Sequence, residues 1–409
     1  MRLEPDPERM RLSLARAQPF ASREAGSQHS EAVVPWHRWG PYLAERHWAT
    51  VREDYSALGT AWDFFPHDHA RSRAYRWGED GLLGICDDQM RLCFALALWN
   101  GVDPILKERL FGLTGDEGNH GEDVKECYYF LDGTPTHSYL RALYKYPQTA
   151  FPYAELVAES RRRGRFDPEY ELVDTGIFAE DRYFDVMVEY AKADPTDIVI
   201  RLSITNRGPS DAALHVLPTV WFRNTWSWGH SSQRPALRCA GDGLIAATHP
   251  ELGRYWLAGG GAPELLFTDN DTNRARLWAA PNAGRYVKDG IDDAIVHGRL
   301  SSLNPDLVGT KASMHYRLAL APGRSQIIML RLTNHELDAP FADAPDIVAL
   351  RQSEADLFYA TGFGLGYLTD DERSVQRQAF AGLLWSKQVY IWDIEAWLTP
   401  GVGLCARHR

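Results

Sequence analysis

Two segments of this 409-residue chain place hydrogen-bonding and aromatic side chains close enough in sequence to hold a ligand. The first runs from Gly115 to Glu126, where Asn119, His120, Glu122, Asp123 and Lys125 alternate with Gly115, Gly118 and Gly121. Glycines let a backbone approach a ligand closely, and amide, imidazole and ammonium groups donate hydrogen bonds to hydroxyls. Glu122 with Asp123, or Glu117 with Glu126, are also the residue types of general acid and base work. Neighbours on one loop seldom face each other across a substrate, so a ligand-facing loop is a stronger reading than catalysis. The second segment runs from Trp221 to Gly229, where Trp221, Arg223, Asn224 and Trp226 combine indoles, a guanidinium and an amide at an expected strand end. Such a set grips polyhydroxy ligands, and aromatic residues closing one end of a β-sandwich look the same in sequence.

Other motifs carry less. His67-Asp68-His69, with His47 and His120 elsewhere, invites a metal, but no E-x-x-H or H-E-x-x-H helix spacing accompanies them. Structural histidines are the better reading, and neither metal nor cofactor is expected. Gly362-Phe363-Gly364-Leu365-Gly366 shares only its glycines with nucleotide loops and reads as a bend between two helices.

The elements that must position these residues are mostly strands. Residues 1–30 have mixed charge and read as a polar tail with a helical turn around Pro7 to Ala17. The segment Asp87 to Trp99 fits a strand or a helix, because its apolar run is short. Helices are expected at Pro135 to Tyr146 and Pro152 to Arg163, forming an insertion near 134–163. Beyond Arg165, alternation predicts strands at Tyr183 to Tyr190, Ile198 to Ile204 and Leu214 to Trp221 as an antiparallel meander. Further strands are expected at Tyr255 to Leu257 and Glu264 to Phe267, and a hairpin at His315 to Leu320 and Ile327 to Leu332 around Ala321-Pro322-Gly323. The fold class is therefore mainly β, a large antiparallel β-sandwich over residues 31–339. A linker helix at Ile347 to Tyr359 and an amphipathic helix from Asp371 to Leu398 follow within 340–398, with a tail at 399–409.

Composition narrows the function classes. A net charge of -11 disfavours a surface that tracks phosphates, so no nucleic acid is expected. No apolar run approaches the roughly 20 residues that cross a bilayer, and Met1 to Ser30 has no apolar signal core. A cytoplasmic protein without membrane contact is the expectation. The five cysteines are scattered without a C-x-x-C pair, as buried free thiols would be. The 14 Trp and 18 Tyr suit sugar stacking and sandwich packing equally.

Several long strings resemble a known family. Trp39 to Arg46, Asp68 to Asp80, Leu98 to Gly101, Glu117 to Lys125 and Trp221 to Trp226 look like the opening half of bacterial glucosidase-like proteins related to glycoside hydrolase family 63. The similarity spans about Trp36 to Trp397 and implies an N-terminal β-sandwich followed by an (α/α)6 barrel. It further implies hydrolysis of α-linked glucosides with inversion, by one carboxylic acid and one carboxylate. Those carboxylates lie in the family's barrel, so no catalytic residue is carried over. The stretch after Trp397 departs from the family, as a shifted frame or premature stop would leave. The expectation is a sandwich, a linker helix and one barrel helix truncated from its partners, which is exposed and self-associating or folded back. The alternative is a stand-alone carbohydrate-binding or scaffold module, and the expected ligand on either reading is an oligosaccharide or glycoside.

Overall fold

The computed structural model describes residues 6–16, 34–49, 66–113, 123–229, 233–336, 338–362, 368–389, 391 and 394. In chain order α1 (Pro7–Arg16), β1 (Trp39–Gly40), α2 (His67–Ala70), β2 (Leu82–Asp87) and β3 (Leu92–Trp99) come first. Then follow β4 (Gly112–Leu113), β5 (Asp123–Val124), β6 (Tyr128–Gly133), β7 (Tyr139–Pro147), α3 (Tyr153–Arg162), β8 (Tyr183–Asp194) and β9 (Asp197–Asn206). The next are β10 (Ala212–Phe222), β11 (Ala236–Gly241), β12 (Leu244–His249), β13 (Gly253–Gly259), β14 (Glu264–Thr268), α4 (Arg274–Trp278) and α5 (Gly290–His297). The last are β15 (Val308–Gly309), β16 (Lys311–Leu320), β17 (Ser325–Thr333), α6 (Ala344–Gly362) and α7 (Asp370–Trp385).

The architecture is the expected antiparallel sandwich. One sheet has six strands in the order β1-β2-β3-β10-β16-β14, and the other has nine in the order β15-β11-β12-β13-β17-β9-β8-β7-β6. Successive strand residues point to opposite faces, so Leu92, Phe94, Leu96 and Leu98 of β3 face inward with Val216 and Val220 of β10. They meet Val186, Val188, Ile200, Leu202 and Leu330 of the larger sheet in one core.

Local patterning misplaced several connections. The expected helix at Pro135 to Tyr146 is instead β7, with Leu140, Ala142, Tyr144 and Tyr146 lined up on the core at a spacing of two. Thr134 and Thr136, read as helix caps, belong to the turn before it, where the Thr134 Oγ1 accepts from Tyr139 N at 3.1 Å. The second expected helix is α3. The segment from Asp87 to Trp99 resolves as the end of β2, a turn and β3.

The expected meander and hairpin are both broken by crossings between layers. β9 pairs with β8 and β17, whereas β10 pairs with β3 and β16. β16 and β17 likewise lie in opposite sheets, so Ala321-Pro322-Gly323 turns an arch across the sandwich and not a hairpin. Asn206, fully buried, holds both crossings together: its amide N–H donates to Arg324 O at 3.0 Å and its carbonyl accepts from Gly323 N at 2.9 Å. Its Nδ2 donates to Ser210 O and Leu320 O, each at 2.8 Å.

The N-terminal segment is not a free tail where it is described. Glu8 of α1 is fully buried, accepting from Thr136 N (2.8 Å), Thr136 Oγ1 (2.7 Å), Ser138 Oγ (2.7 Å) and Arg11 Nε (3.0 Å). Buried Lys192 clasps the same corner by donating to Trp36 O and Trp39 O at 2.6 Å.

At the other end α7 is shorter than expected, stopping at Trp385 and not at Leu398. The Trp385 indole stacks on Phe130 with centroids 5.0 Å apart and donates to Asp132 O at 2.9 Å. The chain then leaves the helix axis, so that Lys387 Nζ reaches His137 Nε2 at 2.8 Å and Val389 N reaches Tyr42 O at 3.2 Å. The helix docks on the sandwich through one side, while Val375 and Leu383 on the other side are exposed. The bend expected at Gly362 to Gly366 lies largely outside the described residues.

Removing one partner from a buried ionic cluster costs about 3 kcal/mol, because the others lose their acceptor without regaining water. Glu8→Ala is expected to lower unfolding stability by about that amount in urea melts, with Glu8→Gln costing less because it keeps one acceptor oxygen. Equal stability of Glu8→Ala and the parent would show that α1 is not part of the folded unit.

Candidate functional site

The outer face of the six-stranded sheet is not left to solvent. Ala95 and Ala97 of β3, Thr219 and Trp221 of β10 and Lys311 of β16 project there, all buried under segments around 79–81, 106–110 and 270–292. Small side chains make room for this cover. A Cβ at Gly81 would lie 2.6 Å from Ala95 Cβ and 3.1 Å from the Trp221 ring, so only glycine lets that segment approach so closely.

Three carboxylates and three cations meet under the cover. Arg109 Nε donates to Asp80 Oδ1 at 3.0 Å and Tyr75 OH donates to Asp80 Oδ2 at 2.8 Å. Lys311 Nζ pairs with Glu108 and also donates to Lys288 O at 3.1 Å. Lys288 Nζ donates to Arg73 O at 2.9 Å and sits 3.7 Å above the Tyr75 ring. Asn270 Nδ2 donates to Glu79 Oε1 and to Phe222 O, both at 3.0 Å.

The electrostatics follow from burial. Desolvation raises the Glu79 carboxyl above its ordinary range, against the lowering pull of Lys288. Burial also pushes the Lys288 ammonium down to about 8, helped by the Arg109 charge. Glu108 goes the other way: burial raises it, but Lys311 and Arg109 together outweigh that and hold it below its usual value. A raised carboxyl and a depressed ammonium are the pair that general acid and base chemistry uses. The cavity, however, is about 20 Å³, room for about one water molecule and not for a sugar ring. Asn270 Oδ1 and Glu108 Oε2 border it without a hydrogen-bond partner. As folded, the network holds the cover on the sheet and does not present a substrate pocket.

A larger concavity, about 520 Å³, lies between β6, β7, α6 and α7 and is lined by Asp132, Arg141, Gln352, Asp356, Tyr359 and Arg377 among others. It has the volume of a small-molecule site. Arg377 spans it, donating to Asp132 Oδ1 at 2.9 Å and Asp356 Oδ1 at 2.6 Å.

The residues singled out from the sequence separate into two groups. Asn119, His120 and Glu122 lie outside the described residues. Lys125 is buried and ion-paired with Asp123, with Glu169 at 3.2 Å and with Glu171 at 3.1 Å, so its ammonium ties the loop to a distant segment. In the other group Asn224 and Trp226 meet at Asp271, while Trp221 and Arg223 do not. Asn224, fully buried, donates to Asn270 O at 2.8 Å and to Asp271 Oδ1 at 2.9 Å, and Trp226 Nε1 reaches the same oxygen at 2.9 Å. Arg234 lies over the Trp226 ring at 5.2 Å, occupying a face that a sugar would need. Arg223 donates to Met90 O and Arg76 O at 3.3 Å, and Trp221 walls the small cavity at 6% exposure. His67 is half-buried in an aromatic nest, with centroids 5.1 Å from Phe111 and 5.4 Å from Tyr153. Asp68 binds Arg276 at 2.7 and 2.8 Å.

The sequence reading missed Glu108, Arg109, Asn270, Lys288 and Lys311. A weak signal existed in Glu79-Asp80, which close one of the family-like strings.

No family model matches the chain. The uncharacterized protein YMR196W of Saccharomyces cerevisiae is 42% identical over an alignment of 409 residues, covering 88% of this chain. The chain spans 38% of the length of that relative. Among solved structures, a polysaccharide lyase aligns over 62% of this chain and 26% of its own, with 12% identity and a TM-score of 0.28. A provisionally assigned kojibiose phosphorylase from the human microbiome aligns over 84% of this chain and 38% of its own, with 9% identity and a TM-score of 0.27. At these TM-scores neither likeness carries an argument.

The buried lysine gives a test by pH. Unfolded, Lys288 keeps its proton to its ordinary value of 10.5, whereas folded it releases it near 8. Between those values the unfolded chain binds more protons, so stability rises with pH, at most by about 1.4 kcal/mol per pH unit. In urea melts from pH 7 to 10, Lys288→Met is expected to remove that rise above pH 8. Parallel slopes in the two proteins would mean that Lys288 stays charged when folded.

Proposed function

We propose that this chain is the N-terminal, non-catalytic part of an inverting glycoside hydrolase that acts on α-linked glucosides or related oligosaccharides. The observation that carries the reading is the two-sided character of α7. One side is fixed to the sandwich through Trp385 and through Arg377 on Asp132. The other exposes Val375 (63%) and Leu383 (71%), with Ala379 exposed between them at successive spacings of four. An i, i+4, i+8 row of apolar and small side chains on a helix is a surface for a further helix. A helix held by a sandwich and offering that row is what the first helix of an (α/α)6 barrel would need. The longer yeast relative, with most of its length outside the matched region, is compatible with such an arrangement.

On this reading the catalytic carboxylates belong to the barrel, and the sandwich contributes a rigid platform. The charge network, around a cavity of only about 20 Å³, supports a platform role over an active-site role. A cytoplasmic setting is part of the proposal, supported by free thiols at Cys86, Cys93, Cys127 and Cys239. Among the described residues, no helix is long and apolar enough to cross a membrane. A second reading, a stand-alone carbohydrate-binding module, is favoured by the groove of about 520 Å³ beside Tyr359 and Arg377.

The decisive assay compares this chain with the full-length yeast relative on α-glucosides, following the anomer released by proton NMR. The relative is expected to release the β-anomer while this chain gives no turnover above background. Turnover by this chain, or none by either protein, would overturn the proposal. Amide shifts on titrating short α-glucans, confined to the groove and lost in Arg377→Ala, would support the module reading.

The exposed row on α7 predicts self-association when nothing covers it. Sedimentation equilibrium is expected to show a concentration-dependent dimer that Leu383→Asp shifts to monomer. A strictly monomeric parent would remove this contact.

A further inference from the structure

Cys86 of β2 and Cys93 of β3 stand directly opposite each other in the six-stranded sheet. Their register decides how closely they meet. Asp88 N donates to Arg38 O at 2.7 Å on the β1 side, and main-chain groups alternate sides along a strand, so those of Cys86 also turn toward β1. Arg223 N donates to Arg91 O at 3.1 Å, and by the same alternation the main chain of Cys93 turns toward β10. The two cysteines are therefore a non-hydrogen-bonded pair of the β2–β3 ladder, the class whose Cα atoms lie about 4.5 Å apart and whose side chains are closest. A disulfide needs Cα atoms about 4.4 to 6.8 Å apart.

Both side chains are fully buried on the outer face of the sheet, beside Leu43, Met90, Ala95 and Trp221. Half-buried Tyr42 and Val389 pack against this cluster, and Val389 N donates to Tyr42 O at 3.2 Å. The segment after α7 is thus part of the cover. Burial raises both thiols above their ordinary value, and the hydrogen bond between them raises Cys93 further while lowering Cys86. Cys86 is the sulfur that ionises first.

We propose that this cross-strand pair is a modification site at which hydrogen peroxide closes a disulfide between Cys86 and Cys93. The Cys86 sulfur attacks one peroxide oxygen, the O–O bond breaks, and the departing hydroxide takes the Cys86 proton, leaving a sulfenic acid and one water. The Cys93 sulfur then attacks the sulfenic sulfur, the S–O bond breaks, and the hydroxyl leaves with the Cys93 proton as a second water. The sulfurs together give up two electrons, which reduce the peroxide. The first step is slow, because a buried pair holds little thiolate at neutral pH and peroxide must pass the cover of Tyr42 and Val389. The second is fast, because its partner is already in contact. A dithiol reductant reverses the bond by exchange. This inference is independent of the glycosidase reading.

The test treats the full chain with hydrogen peroxide in the absence of denaturant, quenches with catalase, and blocks the remaining thiols with N-ethylmaleimide in urea. Trypsin cuts after Arg91, so the disulfide joins the peptide of Cys86 to that of Cys93. Mass spectrometry is expected to find this joined pair, lighter by two hydrogens than the separate peptides and released by dithiothreitol. Cys86→Ser and Cys93→Ser are each expected to abolish it. Val389→Ala, which thins the cover and leaves both thiols in place, is expected to form it severalfold faster. Cys239→Ser, which removes an exposed thiol, is expected to change nothing. If both cysteine-pair variants fail to fold, the parent and Val389→Ala still decide the question. Cys86 and Cys93 both alkylated after Cys239 is fully oxidised, either of them joined to Cys127 instead, or a bond that forms only in urea would overturn the site.

Discussion

The six-stranded sheet is covered on much of both faces, and its outer cover buries charged groups beside an apolar cluster of Ala97, Leu106, Leu217, Leu266 and Ile291. Leucines and valines meet the larger sheet on the inside, whereas Glu79, Asp80, Glu108, Arg109, Lys288 and Lys311 are buried on the outside. Desolvating six ionisable groups is costly, and it is tolerated only where each finds an opposite charge or a hydrogen-bond partner. Glu108 is separated from Lys311 by 203 residues and Glu79 from Asn270 by 191. Segments far apart in the chain must therefore arrive together. The small side chains of Gly81, Ala95 and Ala97 make that arrival sterically feasible.

The same logic operates at the corner where helices join the sandwich. Glu8, Lys192 and Asp132 are buried polar groups whose partners come from other elements, α1 to the 136–138 turn, β8 to Trp36 and Trp39, and α7 to the end of β6. Such groups add less to stability than an apolar core of equal volume and more to uniqueness, because misplacing one partner strands the others. α7 is thus held in one orientation, which fixes where its outer apolar row points. If a helical barrel follows in the whole protein, its first helix is placed by the sandwich and not by the barrel.

Much of the fold is legible in the sequence where a pattern is local. The alternation in Asp197–Asn206 and Lys311–Leu320 marks strands correctly, and the stretch from Ile347 to Tyr359 lies within α6. Alternation in β7 was hidden by Tyr139 and Leu143 at intervening positions, and a pair of threonines imitated a helix cap. The candidate site was less legible. In the string Trp221 to Trp226, the polar atoms of Asn224 and Trp226 turn inward on Asp271, which an aromatic and amide-rich string does not reveal.

The sequence by itself determined the fold class, several of the strand positions and the residues sharing a face there, since the side-chain period of two is a property of one strand. Only the tertiary structure decided which sheet each strand joins. A Pro-Gly turn serves a hairpin and an arch alike, and the choice between them rests on partners such as Asn206 with Leu320, 114 residues away. It also decided that the charged residues flanking β3, β10 and β16 form one network. Pairing energy between charges depends on their distance in space and on the dielectric around them, and neither is written in the order of residues.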